Sequence, residues 1–271
     1  MGDNTGISMS KKINEYKALV FDLDGTLYYQ RQLRLKMAWM LGTYYLCHFW
    51  RIKELFIIKK FREVREKWDK ITGISAGETQ AEEKTPAAGP ASEESGEKNT
   101  GTGHEKKQHT GKSSVANSLE WEQYSYVAGR MGCTADKVKT VIETWMYEKP
   151  LKAVYETRDE ALIELIKKRK DAGQKIFIFS DYPIEDKLDA LGLTADGMYA
   201  ATDERLSELK PSPKGLRLIM EDHGLNPSDI LMIGDRMSRD GQAAINAGCD
   251  HVILPGSKSQ RNKLYAYKLK G

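Results

Sequence analysis

Two aspartates one residue apart, Asp22 and Asp24, close an apolar run that begins at Ala18. Alternate residues of an extended segment share a face, so this spacing sets two carboxylates side by side. Such a pair repels unless a proton or a cation lies between its members. Oxygen donors of this kind suit a hard divalent cation, typically Mg²⁺ beside a phosphate. Gly25 and Thr26 follow and turn the chain. Asp-Gly is also a common turn former, so the same residues alone read equally well as a polar strand end. The carboxyl ends of strands are nevertheless where open α/β folds build their sites.

Three later segments repeat the pattern of an apolar run or a turn ending in chemistry. Lys175 to Phe179 is apolar after its first residue and ends at Ser180 and Asp181. A helix is expected before it, because Leu162, Ile163, Leu165 and Ile166 cluster, basic residues fill 167–170, and Gly173 offers a stop. Lys210-Pro211-Ser212-Pro213-Lys214 places a lysine ahead of a proline suited to a first helical turn. Ile230 to Gly234 leads into Asp235, with Asp240 five residues on. Gly241, Ala243, Ala244, Ala247 and Gly248 then offer small side chains for close helix packing. Taken singly, Ser180 reads as a strand-end hydroxyl, Lys210 as a surface lysine and Asp240 as a helix N-cap.

Together and in this order, the four segments resemble the motifs of the haloacid dehalogenase superfamily, in its phosphatase branch with a helical cap after the first motif, as in phosphoglycolate phosphatase-like proteins. The resemblance covers 16–28 and roughly 155–256. It implies Asp22 as the nucleophile that forms an aspartyl-phosphate, and Asp24 as the acid, then base, for the leaving group and for water. It implies phosphate binding by Ser180 and by Lys210, with Lys214 as second choice for the motif lysine. It implies Mg²⁺ held by Asp22, Asp235 and the backbone carbonyl of Asp24, with Asp240 orienting the site from behind. The dehalogenating relatives lack the second aspartate, so Asp24 favours phosphoryl transfer. One departure stands out: the family most often has Asn where this chain has Asp181. A carboxylate there is unfavourable beside a phosphate unless it points away or meets a donor.

The expected fold is α/β, a three-layer Rossmann-like core with a mostly parallel sheet and an inserted helical cap. The expected layout is a tail over 1–15, a core over 16–28 and 155–271, and a cap over 29–154. About 150 residues between the first two motifs exceed what one crossover needs. Residues 31–70 hold no Pro and one Gly, and carry eleven Lys and Arg against four Asp and Glu. Their apolar centre, Met37 to Trp50, lies between Lys36 and Arg51 and is too short to span a bilayer. This basic, aromatic stretch reads as cap core with a solvated face, as a pocket for an anionic substrate, or as a peripheral membrane face. Residues 75–118 are rich in Glu, Lys, Gly, Ser and Thr, and read as a disordered loop. A second cap helix is expected from Ala135 to about Tyr147, before Pro150.

The net charge of +3 is too small to argue for nucleic acid. Cys47, Cys133 and Cys249 show no metal-ligand spacing and suit a reducing compartment. The polar start is no signal peptide, and Gly6 stands where a myristoylation pattern wants Ser or Thr. The expectation is a cytoplasmic Mg²⁺-dependent phosphatase acting on a small phosphomonoester. A phosphomutase or phosphotransferase on the same aspartates, and a non-catalytic binding protein on the same fold, stay open as alternatives.

Overall fold

In a computed structural model, residues 6–73 and 119–269 are described; the loop expected at 75–118 lies outside them. Among the described residues the strands are β1 (Ile7–Ser8), β2 (Ala18–Phe21), β3 (Lys175–Ser180), β4 (Gly197–Ala200), β5 (Ile230–Gly234) and β6 (Asp250–Ile253). They form one sheet in the order β1-β6-β5-β2-β3-β4, parallel except for β1. Strands β2 and β5 are buried along their whole length. A parallel sheet covered on both faces demands such unbroken apolar runs.

The two-residue alternation of the strands builds two cores. Leu19, Phe21, Ile176, Ile178, Leu231 and Ile233 face one side, where α7 (Glu160–Asp171), α8 (Glu185–Ala190) and α11 (Lys258–Tyr267) supply Leu162, Ile166, Leu188 and Tyr265. Ala18, Val20, Phe177, Phe179, Ile230 and Met232 face the other, against α9 (Lys214–His223) and α10 (Gln242–Ala247). The result is the three-layer α/β arrangement expected from the motifs.

Residues 7–15, which belong to the stretch read from the sequence as a tail, pack on this core. Ile7 and Ser8 pair antiparallel with Val252 and His251. The Ser10 hydroxyl and amide and the Tyr16 hydroxyl all donate to Asp250 Oδ2, at 2.5, 2.8 and 2.6 Å. A two-residue strand has no periodicity to detect, which is why the sequence hides it.

Between β2 and β3 the chain forms α1 (Gln30–Cys47), α2 (Lys53–Glu66), α3 (Trp68–Thr72), α4 (Leu119–Met131) and α5 (Ala135–Ile142). Phe61, Val64, Tyr124, Val127, Val141, Ile142 and Trp145 knit these helices around a separate apolar cluster, which also takes in Ala201 and Leu209 of the core. Thr134 caps α5 by accepting from the Lys137 amide at 3.2 Å. The helix expected to reach Tyr147 widens into a π-helical turn over Glu143–Glu148. Pro150 then opens α6 (Leu151–Glu156), whose Val154 already belongs to the main core.

One buried side chain ties the C-terminal helix to the first motif. The Arg261 guanidinium donates to the carbonyls of Gly25 (2.6 Å), Thr26 (2.8 Å) and Pro255 (2.7 Å), and pairs with Asp159 at 3.1 Å. Asp159 in turn caps α7 through the Leu162 amide and accepts from the Tyr265 hydroxyl at 2.8 Å. Removing the guanidinium takes the counter-charge from buried Asp159, which keeps only neutral donors, and a donor from the carbonyls of Gly25 and Thr26. Arg261→Met should therefore cost about 3–5 kcal/mol of stability in urea denaturation, and a loss below about 1 kcal/mol would refute this bracing role.

Candidate active site

The carboxyl ends of β2, β3 and β5 meet at one edge of the sheet. Phe21 lies opposite Ile178 on one side and Ile233 on the other, so Asp22 emerges between the two neighbouring strands. Its amide still donates to Ile233 at 2.9 Å. Asp22 is 5% exposed. Its Oδ2 accepts from the Thr26 hydroxyl at 2.8 Å, which gives the second half of the first motif a mechanical purpose. Its Oδ1 lies 2.5 Å from Lys210 Nζ.

Lys210 is buried among acceptors. Its ammonium reaches Asp22, Asp240 Oδ1 at 2.7 Å and the Phe179 carbonyl at 3.2 Å. The second choice, Lys214, is half-exposed and pairs with Glu208 at 3.3 Å. Asp240 has no spare oxygen: its Oδ2 accepts from the amides of Asp235 and Arg236 at 3.1 and 3.0 Å. It thereby shapes the turn that carries Asp235, rather than capping α10. A Cβ on Gly234 would lie 2.3 Å from Asp240, so glycine is required for this approach.

Asp22, Asp235 and Asp240 offer oxygens within 4.8 Å of one another. The Lys210 ammonium bonds two of these carboxylates, Asp22 and Asp240, while Arg236 is the cation that acts most on the third, Asp235. Burial, and then the Asp240 charge, push the Asp22 carboxyl well above the usual range despite Lys210. Burial and Asp240 likewise push Asp235 to about 6. Burial alone would lower Lys210, but Asp22 and Asp240 outweigh it and hold the ammonium charged. Asp235 Oδ1 is buried without a partner, an orphan acceptor beside an excess of negative charge. All-oxygen donors in that state fit a hard divalent cation. Gly25, with φ +99°, makes room for the Asp235 carboxylate, since a Cβ there would lie 2.2 Å from Oδ2.

Asp24 points elsewhere. Its Oδ1 accepts from Lys187 Nζ at 2.6 Å and from the Tyr28 hydroxyl, and its Oδ2 is buried without a partner. Burial raises its pKa, but the Lys187 charge and these hydrogen bonds more than offset that and leave it below the ordinary carboxylate range. Ser180 is fully buried at the end of β3, where its Oγ accepts from the Tyr182 amide at 3.0 Å. The Asp181 carboxylate accepts from the Lys210 amide at 2.8 Å and so braces the lysine loop, while its carbonyl accepts from Arg65 of α2. The unusual acid thus meets a donor.

The sequence did not point to Lys187, Tyr28, Arg65 or Arg239. Lys187 sits in a short charged helix that reads as surface, yet it is buried against Asp24 and lies over the Tyr182 ring. Tyr28 is four residues past Asp24, a spacing that carries weight only once the turn is known. Arg65 hydrogen-bonds Gln123 Oε1 at 2.7 Å and stacks over Tyr182 at 4.5 Å. Arg239 reaches the Lys210 and Glu66 carbonyls, joining the loop after β5 to the helical insert. A cleft of about 950 Å³ between α4, α5 and the β4 edge includes neither Asp22 nor Asp24 in its lining.

The family profile of haloacid dehalogenase-like hydrolases matches residues 16–248. No curated protein matches the sequence significantly. Among solved structures, 2-haloacid dehalogenase from Pseudomonas syringae pv. Tomato DC3000 is 13% identical with a TM-score of 0.51, covering 93% of this chain and 98% of its own. The HAD-hydrolase YfnB from Bacillus subtilis, bound to magnesium, is 12% identical with a TM-score of 0.53 at the same coverages of 93% and 98%. A HAD phosphatase from Thermococcus onnurineus is 18% identical with a TM-score of 0.45, covering 88% of this chain and 86% of its own. At these identities the likeness extends to the fold alone.

If Asp181 serves as an acceptor for the Lys210 amide, an amide side chain can replace it. Asp181→Asn should stay within about 0.5 kcal/mol of the parent protein in urea denaturation, whereas Asp181→Ala should lose about 1–3 kcal/mol. Equal losses for both would mean that its charge, not its acceptor, matters.

Proposed function

The chain belongs to the haloacid dehalogenase-like hydrolases, and from that premise we propose that it is a Mg²⁺-dependent phosphatase of small phosphomonoesters. The observation that carries this reading is the second carboxylate, Asp24, two residues beyond Asp22 and held by Lys187 and Tyr28. Hydrolysis of a carbon–halogen bond has no alkoxide to protonate, whereas a phosphomonoester does.

In this reading an Asp22 oxygen attacks phosphorus while the ester oxygen departs and takes a proton from Asp24. Water, deprotonated by Asp24, then attacks the aspartyl-phosphate and returns Asp22. Asp24 is ionised while Lys187 faces it. A phosphate entering beside Lys187 and Lys210 diverts their charge, which raises the Asp24 carboxyl towards the protonated state that the first step needs. Lys210 and Ser180 hold the transferred oxygens, and positioning with charge stabilisation carries most of the rate. Asp22, Asp235 and the Asp24 carbonyl would hold Mg²⁺, which when bound neutralises charge on the phosphoryl oxygens. The helical insert acts as a cap that keeps water from the site. Three separated cysteines support a cytoplasmic setting.

Phosphate release from a panel of phosphomonoesters with Mg²⁺ tests the reaction. Asp22→Asn should lower the rate by about a thousandfold or more, and EDTA should abolish it. Halide release from 2-haloacids without phosphate release from the panel would overturn the reading.

The cation has an independent signature. A carboxyl raised to about 6, as Asp235 is, loses its proton only above that pH, so the native state pays increasingly for its charge as pH rises. Mg²⁺ relieves that charge, so its stabilising effect must grow in the same direction. The rise in melting temperature on adding Mg²⁺ should be small near pH 5 and several degrees near pH 7.5, measured by differential scanning fluorimetry. A pH-independent shift, or none, would remove the cation from this site.

A further inference from the structure

The helical insert has a face that its own packing leaves uncovered. Helix α1 turns Met37, Met40, Leu41, Tyr44 and Tyr45 into the insert's core. Leu35, Trp39 and Leu46 point the other way and are 67%, 74% and 81% exposed. With Gly42 they stand at i, i+4, i+7 and i+11, one stripe along the helix. The stripe continues into Phe49 and Trp50, 71% and 65% exposed, in the turn before α2. Those two rings rest on each other at 5.4 Å, and Trp50 also meets the His48 ring edge-on at 5.4 Å. Ile52 and Phe56 extend the patch onto α2.

Its charge is one-sided. From Gln30 to Lys53 there is no Asp or Glu, while Arg31, Arg34, Lys36, Arg51 and Lys53 share this stretch with the apolar side chains, Lys36 and Arg51 pairing with Glu156 and Glu54 outside it. Arg31, Arg34, Lys53 and Lys59 have no carboxylate partner among the described residues. No helix of the described residues is long and apolar enough to cross a membrane. Exposed apolar patches of this kind mark interaction surfaces.

We propose that this face seats the protein on an anionic lipid surface. Tryptophan, phenylalanine and leucine on one side of a helix, flanked by basic residues, suit the boundary between headgroups and acyl chains. Acidic headgroups complement the cations, which a neutral surface leaves unanswered. A second copy of this chain fits less well, because two such faces would set like charges against each other. Residues 74–118 fit less well too, having only Ile74 and Val115 as large apolar side chains to cover the patch. The proposal is independent of the phosphatase reading, because it uses no residue of the site.

The test is co-sedimentation of the full chain with vesicles of phosphatidylcholine, with and without phosphatidylserine. Binding is expected only with phosphatidylserine, weakening as salt is raised and accompanied by a blue shift of tryptophan emission. The triple variant Trp39→Ser, Phe49→Ser, Trp50→Ser should lower the partition coefficient about tenfold or more. Lys53→Glu with Arg31→Glu should lower both binding and its salt dependence. Neither variant should change phosphate release in solution. Quenching of the unmodified protein's tryptophans by brominated lipid tests the same contact without any substitution. Absence of binding, undiminished binding by the triple serine variant, or no bromine quenching would each overturn the proposal. So would a concentration-dependent dimer that the triple variant abolishes, which would give the face to a second copy.

Discussion

Everything at this site depends on the buried ammonium of Lys210. Taking the Lys210 ammonium and the carboxylates of Asp22 and Asp240 out of water is costly, and it is tolerated only where hydrogen bonds are complete and geometry is tight. The carboxylates of Asp22 and Asp240 and the Phe179 carbonyl meet that demand around the lysine. Asp181 fixes the lysine's own backbone, and Asp240 passes the constraint on to the amides of Asp235 and Arg236. The residues of four distant segments are thus locked into one charge network. Its residual negative charge makes a cation favourable there, and the unpaired Asp235 oxygen shows where that charge is least satisfied.

The sheet and its helices make the network rigid. β2 and β5, buried throughout, deliver Asp22 and Asp235 from neighbouring strands in fixed register. The turn after β2 is clamped from behind by Arg261, which satisfies the carbonyls of Gly25 and Thr26 that the turn leaves without strand partners. Preorganisation of this kind lowers the reorganisation needed when charge develops on a substrate. The last helix of the chain therefore contributes to the first motif, across more than 230 residues of sequence.

The core of this arrangement was legible in the sequence because its signals are local. Apolar runs of strand length ending at Asp22, Ser180 and Asp235, and a lysine before Pro211, each need only a few residues to declare themselves. What stayed hidden depends on contacts between segments. Lys187 and Tyr28 become partners of Asp24 only when α8 packs beside the turn. Arg261 looks like any helical arginine until its helix is laid over the β2 turn. The β1 edge strand is too short for a pattern, and its register comes from Asp250 gathering the donors of Ser10 and Tyr16. The composition of the basic, aromatic stretch was plain, but only folding divides its apolar residues between an inner face and an outer one.

That division bears on how the insert is held. Beyond the apolar packing on Ala201 and Leu209, two kinds of polar contact join it to the core. Arg236 with Glu66 at 2.9 Å, and Arg239 with Asp69 at 3.9 Å, lie at the rim, where water and salt weaken them to at most about 1 kcal/mol each. Arg65 is different: it is buried, stacked over Tyr182 and bonded to Gln123 and the Asp181 carbonyl. Parting it from the core strips the guanidinium of the Asp181 carbonyl and the Tyr182 ring, while Gln123 and Glu120 of the insert stay with it, so this contact fixes where the end of α2 rests. The same helix begins at Lys53, beside the exposed apolar face, and ends at Glu66, beside the site. A single straight element of 14 residues spans about 20 Å. The insert is therefore held to the core at one end of α2 by a buried contact, while the other end of that helix carries the exposed Phe56 beside Trp50.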